Sequence, residues 1–292
     1  MVRAVKVKSL AALIIGIHYR QLLQVRLCHT LALGLVLSAL GGCQSFSYQT
    51  LLQDEVITSE IYQSTEFKHR LFRSTKPPAT TSDALHIYLE GDGRPWRGRY
   101  FIASNPTPSY GLMLDAMLTD ANPSVYVGRP CYWHTEDAEC DAMDWTMARY
   151  SEAVVDSLLV VIKDLSEDIE NLWIIGHSGG GALAVLVGRR LQRQVNVLTI
   201  AANLDHAAWT QLHQFSPLDQ SLNPMDDERR NPNMRELHWY GTQDGNIPPT
   251  IFETYCRQQL VTCKAENASH SGGWLQRWPE ILLEAEGFFS GP

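Results

Sequence analysis

The chain has 292 residues, 45% of them hydrophobic and 19% charged, which suits one α/β core and excludes a disordered or fibrous polymer. Its formal charge of -8 understates the acidity of the body, because residues 1–42 hold five Lys or Arg and no Asp or Glu; the remainder carries 19 basic against 32 acidic residues, or about -13. Such a body repels phosphate backbones and anionic headgroups, so nucleic acid is not an expected partner.

Residues 1–42 read as a processing signal. The ten-residue run Leu31 to Leu40 follows Arg20 and Arg26 and leads into Gly41-Gly42-Cys43. Small residues ahead of a cysteine, after a short apolar segment, resemble the lipobox of bacterial lipoproteins. The resemblance implies removal of the leader and a lipid on Cys43. It also implies anchoring in the cell envelope, on the periplasmic side of the outer membrane. A signal anchor, or a cleaved signal with an ordinary cysteine, is the alternative, but ten residues are half of what a spanning helix needs. The body keeps Cys131, Cys140, Cys256 and Cys263, two locally spaced pairs that predict Cys131–Cys140 and Cys256–Cys263 disulfides. Zinc ligation or free thiols are the rivals, although neither pair has C-x2-C spacing.

Residues 43–84 read as a tether with the first strands, and Glu66 to Phe72 is a candidate strand. Leu85 to Leu89 is a clear one, running into Glu90-Gly91-Asp92-Gly93. A helix is expected over Tyr110 to Leu118, a strand over Ser124 to Val127, and an amphipathic helix over Arg149 to Leu165. Leu172 to Ile175 is a short buried strand, followed by Gly176-His177-Ser178-Gly179-Gly180, and helical spacing resumes at Leu183, Leu186, Val187 and Leu191. Strands over Val195 to Ala201 and Glu236 to Tyr240 follow. The segment 203–235 between them has room for one helix and a small lid. A helix from Thr250, a strand over Thr262 to Ala265 and a helix over Leu275 to Phe288 end the chain. This alternation predicts an α/β fold with a mostly parallel sheet covered on both faces.

Gly176 to Gly180 is G-x-S-x-G between a strand and a helix. A serine at such a turn is held out toward a base, the flanking glycines avoid a clash, and the helix start offers amides to an oxyanion. Together with the glycine turn at Gly91, this resembles the α/β-hydrolase superfamily from about Leu85 to the C-terminus. The resemblance implies a twisted sheet of about eight strands and a serine hydrolase, esterase- or lipase-like, with residues 85–292 as its catalytic domain.

It also implies roles: Ser178 as nucleophile, His270 as base and an acid between them in the chain. Asp244, in Gly241-Thr242-Gln243-Asp244-Gly245, is the favoured acid; Asp205, after the preceding strand, is the other candidate. Asp226, Asp227 and Glu228 read as a solvated charge run. His177 reads as a packed or hydrogen-bonded neighbour. The oxyanion donors implied are the amides of Gly179 and Asp92, or Gly93 in place of Asp92. Glu90 stands where the family's glycine-rich turn has histidine. Trp96, Tyr100 and Phe101 are candidates to line an acyl pocket. No metal or organic cofactor is implied, and the expected substrate is an acyl ester or lipid. A peptidase, an acyltransferase or a non-catalytic lipid-anchored binding protein are the alternatives.

Overall fold

The structure, a computed structural model, describes residues 48–79, 82–98, 100–108, 111–133 and 140–291; the leader and Cys43 lie outside them. Helix α1 (Tyr48–Gln53) leads into a hairpin of β1 (Ile57–Gln63) and β2 (Lys68–Ser74), and β3 (Ala84–Leu89) follows. Next come a small ribbon of β4 (Trp96–Arg97) and β5 (Phe101–Ile102), then α2 (Leu112–Thr119) and β6 (Ser124–Val127). The chain continues through α3 (Glu152–Leu165), β7 (Asn171–His177), α4 (Gly179–Arg190), β8 (Val195–Ile200) and α5 (His206–His213). It ends with β9 (Met234–Gly241), α6 (Pro249–Gln259), β10 (Thr262–Glu266) and α7 (Trp274–Ser290).

Eight strands form one sheet in the order β1-β2-β6-β3-β7-β8-β9-β10, parallel from β6 to β10 and antiparallel at the β1-β2-β6 edge. After β3 the chain steps outward to β6, then crosses back to β7. The loops leaving β3 and β7 therefore part at the carboxyl edge of the sheet, and a crevice opens there.

Side-chain alternation divides the core. Trp173 and Ile175 of β7 join Tyr88, Leu198 and Trp239 under α2 and α7, where Trp274 and Trp278 are buried. Leu172 and Ile174 point the other way, into α3, α4 and α6. On α3, Val154, Leu158, Val161 and Ile162 are fully buried. At about 1.5–3 kcal/mol each, their burial outweighs the few tenths per residue that β-branched side chains cost a helix.

Several boundaries differ from the sequence reading for local reasons. The strand expected over Glu66 to Phe72 is β2, shifted to Lys68, and β1 precedes it unforeseen; β1 is an edge strand exposed at most positions, so it shows little alternation. Helix α3 starts at Glu152 instead of Arg149 because the Ser151 hydroxyl caps it at the Val154 amide. Asp227 is not solvated: its side chain is buried, near the guanidinium groups of Arg190 (3.5 Å) and Arg229 (3.4 Å).

Both cysteine pairs are disulfides, Cys131–Cys140 and Cys256–Cys263, with Cα atoms 5.7 and 6.2 Å apart. Loops this short should contribute about 2–3 kcal/mol each. Alkylation of the denatured, unreduced protein should leave all four cysteines unmodified, and quantitative alkylation of any pair would contradict the bridge.

Candidate active site

Ser178 sits at the sharp turn between β7 and α4 with φ 53° and ψ -122°, a conformation that non-glycine residues rarely occupy. The turn is so tight that a Cβ on Gly176 would lie 2.4 Å from the Gly180 carbonyl oxygen, and one on Gly180 would lie 2.2 Å from that of Leu89. Both positions therefore require glycine, as the elbow spacing suggests.

His270 comes to this turn from the loop between β10 and α7. Its Nε2 lies 3.0 Å from Ser178 Oγ, and its Nδ1 lies 2.9 Å from Asp244 Oδ2. Asp244 is buried, and its other oxygen accepts the amides of Asn246 and Ile247, both at 2.8 Å. Those bonds hold the carboxylate toward the ring. Asp205 is elsewhere engaged: it caps α5 by accepting the Ala208 amide at 3.1 Å and also accepts from Asn223. Of the two candidate acids, Asp244 is the one in contact with His270.

Asn246 was not singled out from the sequence. Its Nδ2 lies 3.1 Å from His270 Nε2, while its Oδ1 accepts the Trp209 indole N–H at 3.2 Å. An indole can only donate, so the amide orientation is settled and its NH2 faces the imidazole. Nε2 is then an acceptor, and the ring proton sits on Nδ1 toward Asp244. In that tautomer Nε2 can receive the serine proton.

His177 donates from Nε2 to the His270 backbone carbonyl at 2.8 Å, tying the elbow to the loop that carries His270. Its Nδ1 lies 3.6 Å from Glu90. Glu90 also accepts the Gly91 amide at 3.2 Å and the Met113 amide at 2.9 Å, so its carboxylate caps α2 where Gly111 has no side chain to do so.

The turn after β3 lies against the serine: a Cβ on Gly91 would be 3.2 Å from that of Ser178. Asp92 follows, next to Gly179, and neither of their amides is spent on another acceptor among the described residues. The Asp92 side chain is clasped from below. Arg129 donates to Oδ1 and Arg149 to Oδ2 at 2.8 Å, while the Tyr150 hydroxyl reaches both oxygens at 2.8 and 2.7 Å. Burial alone would push this carboxyl up, but Arg149 and Arg129 outweigh it and hold it well below the usual carboxylate range. Burial and the neighbouring Asp92 charge push Tyr150 well above its ordinary value, so it stays a hydroxyl donor. Nothing in the spacing of Asp92, Arg129 and the adjacent pair Arg149-Tyr150 announces this cluster, because they come from three different loops.

A cavity of about 960 Å³ opens over Ser178. The ribbon side contributes Trp96 and Tyr100, and the segment expected as a small lid contributes Trp209, His213 and Phe215. Phe101, expected with Trp96 and Tyr100, does not line it; β5 turns that ring outward, where it is exposed. Among the described residues no group of His, Cys, Asp and Glu is arranged to hold a metal ion, and no helix is long and apolar enough to cross a membrane.

No protein-family model and no curated protein matches the sequence. Solved structures do. An esterase of Pyrococcus furiosus superposes with a TM-score of 0.55 at 11% identity, over 80% of this chain and 93% of its own. An α/β serine hydrolase without a lid from Xanthomonas campestris gives 0.52 at 12% identity, over 80% and 94%. A puromycin-hydrolysing peptidase of Mycobacterium tuberculosis gives 0.55 at 14% identity, over 79% of this chain and 38% of its own. Identities this low speak to architecture alone, and with the mostly parallel eight-stranded sheet they show that this chain has the α/β-hydrolase fold.

Proposed function

We propose that the protein is a serine hydrolase that cleaves carboxylic esters through an acyl-enzyme. The observation that carries this reading is the unbroken hydrogen-bonded series Ser178–His270–Asp244, set at a strained elbow and opening into a cavity. Ser178 Oγ attacks the acyl carbon as its proton passes to His270 Nε2, and the proton then goes to the departing alcohol. Water repeats the sequence in reverse and releases the acid. Asp244 keeps the imidazole in the required tautomer and stabilises its charged form. The amides of Gly179 and Asp92 bind the oxyanion, each contributing about 3–4 kcal/mol to the barrier reduction. Trp96, Tyr100, Trp209 and Phe215 offer an acyl chain apolar contacts, beside polar lining groups such as Arg94, Asn203 and Gln214, and an ester is the reading we take ahead of the peptidase alternative.

A fluorophosphonate probe should label the protein at Ser178, and Ser178→Ala should lose both labelling and ester turnover while melting at the same temperature. Undiminished labelling of that variant would defeat the assignment. A panel of p-nitrophenyl esters beside aminoacyl anilides separates esterase from peptidase.

The reading extends to location. Export, cleavage before Cys43 and acylation of that cysteine fit the lipobox-like leader, and the two disulfides fit an oxidising compartment. Mass spectrometry of the mature N-terminus from a bacterial host should find a diacylated or triacylated Cys43. An unmodified Cys43, or cleavage elsewhere, would refute the anchor.

A further inference from the structure

The two segments that flank the cavity, the β4–β5 ribbon and α5 with its following turn, carry most of the exposed large apolar side chains of the described residues, and of these Tyr100 and Phe215 line the cavity itself. On one side the β4–β5 ribbon holds out Tyr100, Phe101 and Ile102, which are 83%, 73% and 45% exposed. On the other, α5 and the turn after it hold out Leu212 and Phe215, at 53% and 47%. The other large apolar side chains so exposed among the described residues are scattered: Ile61 on β1, Leu260 just after α6 and Leu283 on α7. Apolar groups gathered around one opening mark a surface that meets something apolar.

Charge follows the same outline. The acidic body leaves both walls free of carboxylates: no Asp or Glu occurs from Gly93 to Leu114 or from His206 to Leu218, and Arg94 and Arg97 stand on the ribbon side, both exposed. The net negative charge acts weakly beyond about 8 Å at physiological salt, so at contact these local cations decide the sign.

The point where the chain enters the body lies on the ribbon side. Tyr48 packs edge-on against Trp133, with ring centroids 4.8 Å apart. The Trp133 amide donates to Thr107 Oγ1 at 2.6 Å, and the adjoining Pro106 carbonyl accepts the Arg94 amide at 2.7 Å. Cys43 precedes Tyr48 by five residues, a reach of at most about 18 Å.

We propose that this rim is a lipid-docking surface. Phe101, Ile102 and Leu212 enter the acyl region of a bilayer, Arg94 and Arg97 lie at the level of the phosphates, and the cavity mouth faces the lipid. This rests on the hydrolase reading above and narrows its substrate to acyl esters held in a membrane. A lipid on Cys43 would hold the body near the bilayer by the flank that bears the ribbon.

The test uses residues 44–292, which lack the lipid but contain the whole described sheet and both apolar layers. They should float with phosphatidylcholine vesicles, and more tightly when phosphatidylglycerol is included. The triple variant Phe101→Ser, Ile102→Ser, Leu212→Ser should bind at least about tenfold more weakly. It should also lose turnover of a long-chain ester dissolved in the vesicles while hydrolysing a soluble short-chain ester at the wild-type rate. Arg97→Gln should remove only part of the gain from phosphatidylglycerol. Failure of the wild-type body to bind vesicles, or undiminished binding by the triple variant, would overturn the proposal. So would a wild-type dimer in light scattering that the triple substitution converts to monomer, since the rim would then belong to a second copy. Vesicle binding without turnover of any ester would refute the hydrolase reading, and with it the substrate half of this inference.

Discussion

Asp244→Asn is expected to lower kcat/KM by up to about 10⁴-fold in a protein that remains folded. Asp244 Oδ1 accepts two backbone amides and Oδ2 accepts His270 Nδ1–H. An asparagine of the same shape keeps its oxygen on the amides, because its NH2 cannot accept them. The NH2 then faces Nδ1, which must become the acceptor, and the ring proton moves to Nε2. There it points at Ser178 Oγ, and the base has no lone pair for the serine proton. Steady-state kinetics on a soluble ester, with a thermal melt as control, check this. Asp205→Asn is the comparison: asparagine caps a helix as well as aspartate does, so activity and stability should both change little. A dead Asp205→Asn beside an active Asp244→Asn would reverse the assignment.

Asp92→Ala is expected to destabilise the fold by about 3–5 kcal/mol, the usual cost of removing one partner from a buried ion pair. The guanidinium groups of Arg129 and Arg149 are buried, and both lie against this one carboxylate. Without it, two positive charges face each other in a low-dielectric pocket. The sign of the pH dependence follows from the depressed carboxyl. Its contribution is fully present above the ordinary Asp value near 4 and is lost as pH falls below that toward the folded-state value. Urea melts at neutral pH should therefore show the full gap between wild type and Asp92→Ala, and the gap should narrow only below about pH 4. On the proposed mechanism activity should fall as well, because the same clasp holds the turn whose amide is assigned to the oxyanion. A variant as stable as wild type would show that the two arginines find other partners.

How much of this was legible depended on whether the signal was local. Strands β3, β6, β7 and β8 bury nearly every residue on both faces and show as short apolar runs, and Gly176, Ser178 and Gly180 constrain one another within five residues. The contacting histidine followed from chain order, since only His270 lies beyond Asp244. Both acids follow parallel strands, and the glycine turn around Asp244 is what favours it in the sequence; the structure adds a capping bond for Asp205 and a pair of loop amides for Asp244. Asn246, Arg129 and Arg149 left no trace in the spacing. Their partners lie 24, 37 and 57 residues away, and only tertiary packing brings them together. The ribbon was missed because two-residue strands have no period to detect, and Phe101 was placed inside when its strand turns it out.

The close approach of Gly179 and Asp92 bears on how sequences of this kind can diverge. A Cβ on residue 179 would lie 1.9 Å from Asp92 Oδ1 and 2.5 Å from the Tyr150 hydroxyl. The two positions are therefore not free to drift independently. Any homologue with a side chain after its nucleophile should have lost the acid at the position of Asp92. With the acid should go the need for cations at the positions of Arg129 and Arg149. Four columns far apart in an alignment would then change as a set, and a family in which alanine at 179 coexists with aspartate at 92 would show that the elbow can be built with a wider gap.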